Sequence, residues 1–91
     1  MKLEFSATAA RRLNEIYNFI AKDSERAAAT FISVIITKSE LIAMNPFIGK
    51  ETVRPEVREF VIHKNYKLIY KAAKDVLTVI YIKHNKTSFE L

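Results

Sequence analysis

Residues 57–84, VREFVIHKNYKLIYKAAKDVLTVIYIKH, decide the fold of this chain. Runs with a period of two, rich in β-branched and aromatic residues, predict three strands at 57–63, 66–72 and 76–83. The connections between them are so short that consecutive strands must run in opposite directions, as an antiparallel meander. The last run is almost wholly apolar, as expected for a strand that is covered on both sides.

The middle strand of this meander has two different faces. Tyr66 and Tyr70 fall on one face, and Lys67 and Lys71 fall on the other. Paired tyrosines on a strand are more often core residues with hydrogen-bonded hydroxyl groups than platforms for nucleic-acid bases. We therefore expect the tyrosine face to be buried and the lysine face to stay open to a partner.

The residues before the meander predict one short strand and a first helix. Residues 2–6 alternate, and Ser6 or Thr8 can then cap a helix that ends near Lys22. The helix has a single apolar stripe with the i, i+3, i+4, i+7 spacing. The stripe consists of Leu13, Ile16, Tyr17 and Ile20.

A second helix is predicted from Glu25 to Met44. Its middle is rich in β-branched residues, which favour strands, but the segment is about twenty residues long and contains no Gly or Pro. Asp23 or Ser24 can cap its start, and the Asn45-Pro46 turn ends it. The apolar residues extend around most of its circumference, which indicates a central helix that contacts both the first helix and the sheet.

The order β-α-α-β-β-β predicts an α+β fold in which a two-helix hairpin packs on one face of a small antiparallel sheet. Residues 1–91 form a single domain, because one Gly and two Pro leave no room for a flexible linker. The absence of Cys excludes disulfides and thiolate metal sites. No signal peptide or membrane-spanning segment is apparent, so we expect a cytoplasmic protein without membrane association.

The positive charge is concentrated in the second half of the chain. Residues 50–91 contain nine Lys and Arg against five Asp and Glu, whereas residues 1–49 contain six against five. A basic half of this kind attracts a polyanion or an acidic protein segment in a salt-dependent way. The alternative is a merely solvated surface.

Few residues are suited to catalysis. One glycine cannot form a phosphate-binding loop, and the two histidines lack a carboxylate cluster with metal-ligand spacing, so we expect neither cofactor nor metal. A basic set on alternate positions of adjacent strands can converge on one open face and either bind phosphates or cleave RNA without a metal. His84 has the side chain best suited to proton transfer near neutral pH, although it is equally well explained as a surface residue near the end of the chain.

Several segments taken together resemble the ParE/RelE superfamily, the toxins of bacterial type II toxin–antitoxin modules, over nearly the whole chain. The segments are, in order, ARRLNEIYNFIA (10–21), ERAA (25–28), NPFIG (45–49), VREF (57–60), NYKLIY (65–70) and VIYIKH (79–84). The resemblance implies a compact toxin that a cognate antitoxin inhibits by laying an extended or helical segment across it. A hetero-oligomer of toxin and antitoxin is then expected.

The resemblance leaves two activities open. ParE-like toxins poison DNA gyrase, and RelE-like toxins cleave mRNA on the ribosome. The long paired helices, the NPFIG turn and the Arg-Glu-Phe segment are closer to ParE. A RelE-like endoribonuclease would depend on Arg58, Lys67 and His84. Lys67 stands where such enzymes usually have arginine, and a lysine keeps the charge but cannot make the bidentate hydrogen bonds of a guanidinium group.

Two further interpretations concern the partner. The basic residues of the meander are candidates for contact with the antitoxin or the target, and they are Lys64, Lys67, Lys71, Lys83 and Lys86. Alternatively, the chain is an inactive member of the superfamily that is retained as an antitoxin partner or as a corepressor that binds DNA with it.

Overall fold

The computed structural model describes residues 1–63 and 65–84 of the chain. This part contains seven helices and strands. They are β1 (Lys2–Phe5), α1 (Ala7–Ala21), α2 (Glu25–Met44), β2 (Lys50–Glu51), β3 (Val57–His63), β4 (Tyr66–Ala73) and β5 (Val76–His84). The predicted order of helices and main strands is confirmed, with boundaries that differ by no more than one residue. The two-residue strand β2 lies where a polar connection was expected.

Serine side chains begin both helices. The Ser6 hydroxyl accepts a hydrogen bond from the backbone N–H of Ala9, and the Ser24 hydroxyl accepts one from Ala27, each at 3.0 Å. Each bond satisfies one of the N–H groups that a helix start leaves without an intrahelical partner. The Ser6 hydroxyl also donates to the carbonyl of Ile80 at 2.9 Å, which ties the start of α1 to β5.

The five strands form one sheet in the order β1-β5-β4-β3-β2. β3, β4 and β5 are the predicted antiparallel meander. β1, however, pairs with β5 in parallel, so the sheet is mixed where a wholly antiparallel one was expected. The chain between them runs through both helices and through β2, β3 and β4, so no hairpin forces the two strands to be antiparallel.

The hairpin between β4 and β5 turns at Lys74 and Asp75. Both residues have positive φ angles, 53° and 64°, which is the backbone of a two-residue turn that usually contains Asn-Gly. This turn type matches the right-handed twist of the two strands. The third non-glycine residue with positive φ among the described residues is Glu56, just before β3.

The core lies between the helix hairpin and one face of the sheet. Tyr66, Leu68 and Tyr70 face it from β4, which confirms that the tyrosine face is the buried one. Its buried side chains are Ala9, Ile16, Phe31, Ile35, Ile42, Ile62, Tyr66, Leu68, Tyr70, Leu77, Val79 and Ile82. α2 is long and apolar enough to cross a membrane by composition alone, but here it packs Phe31, Ile35 and Ile42 into this core.

Candidate functional site

The strand register separates the residues that were expected to converge on one open face. Arg58 lies opposite Tyr70, and His84 lies opposite Tyr66, so both share the helix-covered side with the buried tyrosines. Lys67 lies on the other side of the sheet, opposite Lys83. The expectation of one shared open face was wrong, because the side chains of Arg58 and His84 lie on one side of the sheet and that of Lys67 lies on the other.

Arg58 and His84 are also far apart along the sheet. Their partners on β4, Tyr70 and Tyr66, are four residues apart, which corresponds to about 13 Å of extended strand. A general base and the cation that stabilises the phosphate must both reach one reacting group, within about 3 Å of each. Arg58, Lys67 and His84 therefore do not form one catalytic group in this structure.

Arg58 instead supports the turn of residues 45–49. Its Nη1 donates to the carbonyl of Gly49 at 2.8 Å, and its Nη2 lies 3.6 Å from the carboxylate of Glu51. The guanidinium carbon is 5.1 Å from the centre of the Phe47 ring, within range of a cation–π contact. Arg58 thus holds together the turn and β2.

Tyr70 holds the same turn from the core side. Its hydroxyl donates to the carbonyl of Pro46 at 2.7 Å and accepts from the N–H of Gly49 at 2.9 Å. Burial raises the pKa of Tyr70, although the Gly49 hydrogen bond and the charge of Arg58 partly oppose the rise. The predicted hydrogen-bonded core tyrosine is confirmed here.

The uncovered side of the sheet carries the lysines that were expected to contact a partner. The ammonium group of Lys67 lies 3.0 Å from the carboxylate of Glu59, and Lys71 is exposed. Lys83 lies directly across the β4–β5 ladder from Lys67. Two other lysines proposed for the same role, Lys64 and Lys86, lie outside the described residues.

An apolar groove opens on the helix side, where the tip of the hairpin meets the ends of β3 and β5. It has a volume of about 620 Å³, and Phe31 forms part of its wall. Phe19 contributes a ring that is 68% exposed, which enlarges the apolar surface of the groove. His84 also lines the groove and packs edge-on against Tyr66, with ring centres 4.8 Å apart.

The groove continues along α1. A second depression of about 370 Å³ shares Phe19, Tyr66 and His84 with the first and extends to Arg12 and Ile16. The sequence did not identify this site. The available signal was Phe19, an aromatic residue next to the apolar stripe of α1 and not within it.

No cluster of three or more His, Cys, Asp or Glu side chains that could hold a metal ion occurs within residues 1–63 and 65–84. The candidate sites in the described part of the chain are the apolar groove on the helix side of the sheet and the lysine-bearing face on the other side.

Comparisons with known proteins agree with this architecture. Residues 3–89 match the family model described as "ParE toxin of type II toxin-antitoxin system, parDE". No curated protein sequence matches the chain. A solved structure titled "Chromosomal ParDE TA system from P. aeruginosa" is similar in fold, with a TM-score of 0.79, 17% sequence identity, and coverage of 92% of this chain and 95% of that chain. The match over nearly all of the sequence shows that this chain belongs to the ParE toxin family of type II toxin–antitoxin systems.

Proposed function

We propose that this toxin arrests bacterial growth in the cytoplasm by binding DNA gyrase, and that a cognate antitoxin neutralises it. The observation that carries the proposal is the family match over residues 3–89, since gyrase poisoning is the activity that the ParE resemblance implies. The separation of Arg58, Lys67 and His84 supports a toxin that acts by binding.

The alternative is a RelE-like endoribonuclease that cleaves mRNA on the ribosome. That activity needs a proton acceptor and a cation at one phosphate. His84 lies at one end of the covered side, Arg58 at the other end, and Lys67 on the opposite face, where Glu59 holds it. The arrangement of the described residues favours the gyrase proposal over this one.

The apolar groove is the proposed docking site of the antitoxin. A solvated Phe19 ring beside Phe31 and Tyr66 leaves apolar surface in water, and a partner's apolar side chains would cover it. Burying an aromatic side chain contributes about 1.5–3 kcal/mol, so Phe19 is the residue on which the toxin–antitoxin interface should depend most.

Expression of the chain alone tests the proposal. We expect growth arrest with filamentation and a DNA-damage response, which co-expression of the antitoxin reading frame from the same module suppresses. Normal growth despite soluble expression would overturn the proposal and favour the interpretation that the chain is an inactive member of the superfamily. Cleavage of translated mRNA in cells whose gyrase stays active would select the endoribonuclease.

The groove has its own test. Phe19→Asp places a charge in the apolar site, so we expect arrest that the antitoxin no longer suppresses, together with a loss of antitoxin binding of at least tenfold. Phe47→Asp is the matched control for binding, because Phe47 is similarly exposed, at 74%, but belongs to the turn of residues 45–49 and not to the groove. Equal antitoxin binding by the Phe19→Asp and wild-type chains would place the antitoxin elsewhere.

A further inference from the structure

The uncovered side of the sheet forms a surface of three cross-strand rows, and a register shift in the β4–β5 pair separates the second row from the third. The register of β3, β4 and β5 places residues directly opposite one another, and such residues share a face. The rows are Lys83–Lys67–Val61, Tyr81–Ile69–Glu59 and Thr78–Lys71–Val57. Tyr81 and Ile69 therefore lie between lysines on two sides. Glu59 completes the middle row, and Val57 of the third row is buried.

Tyr81 provides an aromatic ring in the middle row of this face. Its side chain is 38% exposed although it belongs to a strand of the sheet. The guanidinium carbon of Arg12 lies 5.8 Å from the ring centre. Because the Nε of Arg12 donates to the carbonyl of Ile82 at 3.1 Å, the guanidinium group is fixed beside the ring. The face thus presents an ordered pair of an aromatic ring and a cation.

The charges on this face leave a positive surplus. Glu59 is paired with Lys67 at 3.0 Å, and Glu4 of β1 is paired with Lys2 at 3.5 Å. No ion pair involves Lys71 or Lys83 within residues 1–63 and 65–84. Two lysines on either side of an apolar and aromatic centre therefore remain to attract negative charge.

We propose that this sheet face binds single-stranded nucleic acid. Lysines on either side of an exposed ring match a chain of phosphates with unpaired bases, since bases stack on aromatic rings and arginine planes while phosphates contact cations. A duplex hides its bases, so it would use the lysines and not Tyr81. An acidic peptide would likewise gain little from a flat aromatic ring.

The face binds without cleaving. Its described ionisable groups are lysines, the phenol of Tyr81 and the carboxylates of Glu4 and Glu59. A lysine pairs with each carboxylate, Lys2 with Glu4 and Lys67 with Glu59. His63 and His84 lie opposite Tyr66, on the other side of the sheet. No described side chain on the face is therefore suited to remove a 2′-hydroxyl proton near neutral pH. This inference goes beyond the gyrase and antitoxin proposals and depends on neither.

Fluorescence anisotropy of a labelled 12-nucleotide thymidine strand with the purified full chain tests the proposal. We expect saturable binding that weakens about tenfold in Tyr81→Leu and is retained in Tyr81→Phe, because stacking needs a flat ring. In Lys83→Ala the slope of log affinity against log salt should fall by about 0.7, the value for one phosphate contact with a single strand.

Lys22→Ala is the matched control, because it removes the same charge at the end of α1, on the helix side of the sheet and not on the uncovered face. It should leave both the affinity and the salt slope unchanged. Equal or tighter binding of the corresponding duplex, equally strong competition by polyglutamate, or unchanged affinity in Tyr81→Leu would each overturn the proposal. Shortening of a labelled RNA strand of the same length would overturn the claim that the face binds without cleaving.

Discussion

The backbone N–H of Gly49 donates a hydrogen bond to the Tyr70 hydroxyl at 2.9 Å, and a β-carbon at Gly49 would lie 2.5 Å from that same oxygen. The one glycine of the chain is therefore required by packing against Tyr70 and not by its backbone angles, since no glycine here has positive φ. This contact joins the turn that ends the helical half to the middle strand of the sheet.

Gly49→Ala should destabilise the fold by about 1–3 kcal/mol, the usual cost of overpacking a buried site. The added methyl group would also lie 2.9 Å from the backbone carbonyl of Glu59, which cannot rotate away. Urea unfolding measures the change. In the Tyr70→Phe background the same substitution should cost less, because the closest atom is gone. Strictly additive effects would show that Gly49 and Tyr70 do not interact.

Tyr70→Phe alone should lower the free energy of unfolding by about 1–3 kcal/mol. The substitution removes the acceptor of the buried Gly49 N–H and the donor to the Pro46 carbonyl, and a buried group without its partner loses its solvation as well. Thermal unfolding checks the loss. A Tyr70→Phe chain as stable as the wild type would mean that water replaces both bonds.

Stability should decline in alkali, and Tyr70 should contribute to the decline. Burial raises the pKa of Tyr70 above its ordinary value of 10.0, so the folded chain keeps this proton at a pH where the unfolded chain has lost it. The contribution is fully present below pH 10 and is lost as the pH rises through the folded pKa. Urea unfolding of the wild type and Tyr70→Phe from pH 8 to pH 11 isolates it. The stability difference should narrow above pH 10 and stay constant below it.

The two helix caps should differ in strength. Ser24→Ala removes only a cap on an exposed helix start, at a cost of about 1 kcal/mol. Ser6→Ala removes both a cap and the bond to the Ile80 carbonyl, so it should cost about 1 kcal/mol more. Each variant serves as the other's control in chemical unfolding. Equal losses would mean that the Ser6–Ile80 bond adds nothing.

Local patterns were sufficient to predict both helices and every strand except the two-residue β2. The alternation around Tyr66 and Tyr70 identified the buried face. Ser6 and Ser24, which cap α1 and α2, were each one of two candidate caps. The parallel pairing of β1 with β5 could not be predicted, because a four-residue strand carries no information about its neighbour. The length of the connection predicted the hairpin at Lys74-Asp75, but the positive φ angles of the turn had no signal, since neither residue is the glycine that they favour.

The candidate site was harder to predict than the fold. Arg58, Lys67 and His84 were grouped by charge alone. The alternation of side chains along each strand, with the strand register, places Lys67 on the opposite side of the sheet from the other two. The groove beside Phe19 depends on how the hairpin tip sits over the ends of β3 and β5, and that placement is a property of tertiary packing. The one local indication of the groove in the sequence was Phe19, an aromatic residue of α1 that lies outside the apolar stripe.

A gyrase supercoiling assay with the purified chain tests the central claim most directly. With relaxed plasmid, ATP and gyrase, we expect the toxin to inhibit supercoiling in proportion to its concentration, and the antitoxin to restore it. The same preparation should leave mRNA intact in a translating extract that contains ribosomes. Full supercoiling at an excess of toxin, together with mRNA cleavage in that extract, would contradict the account.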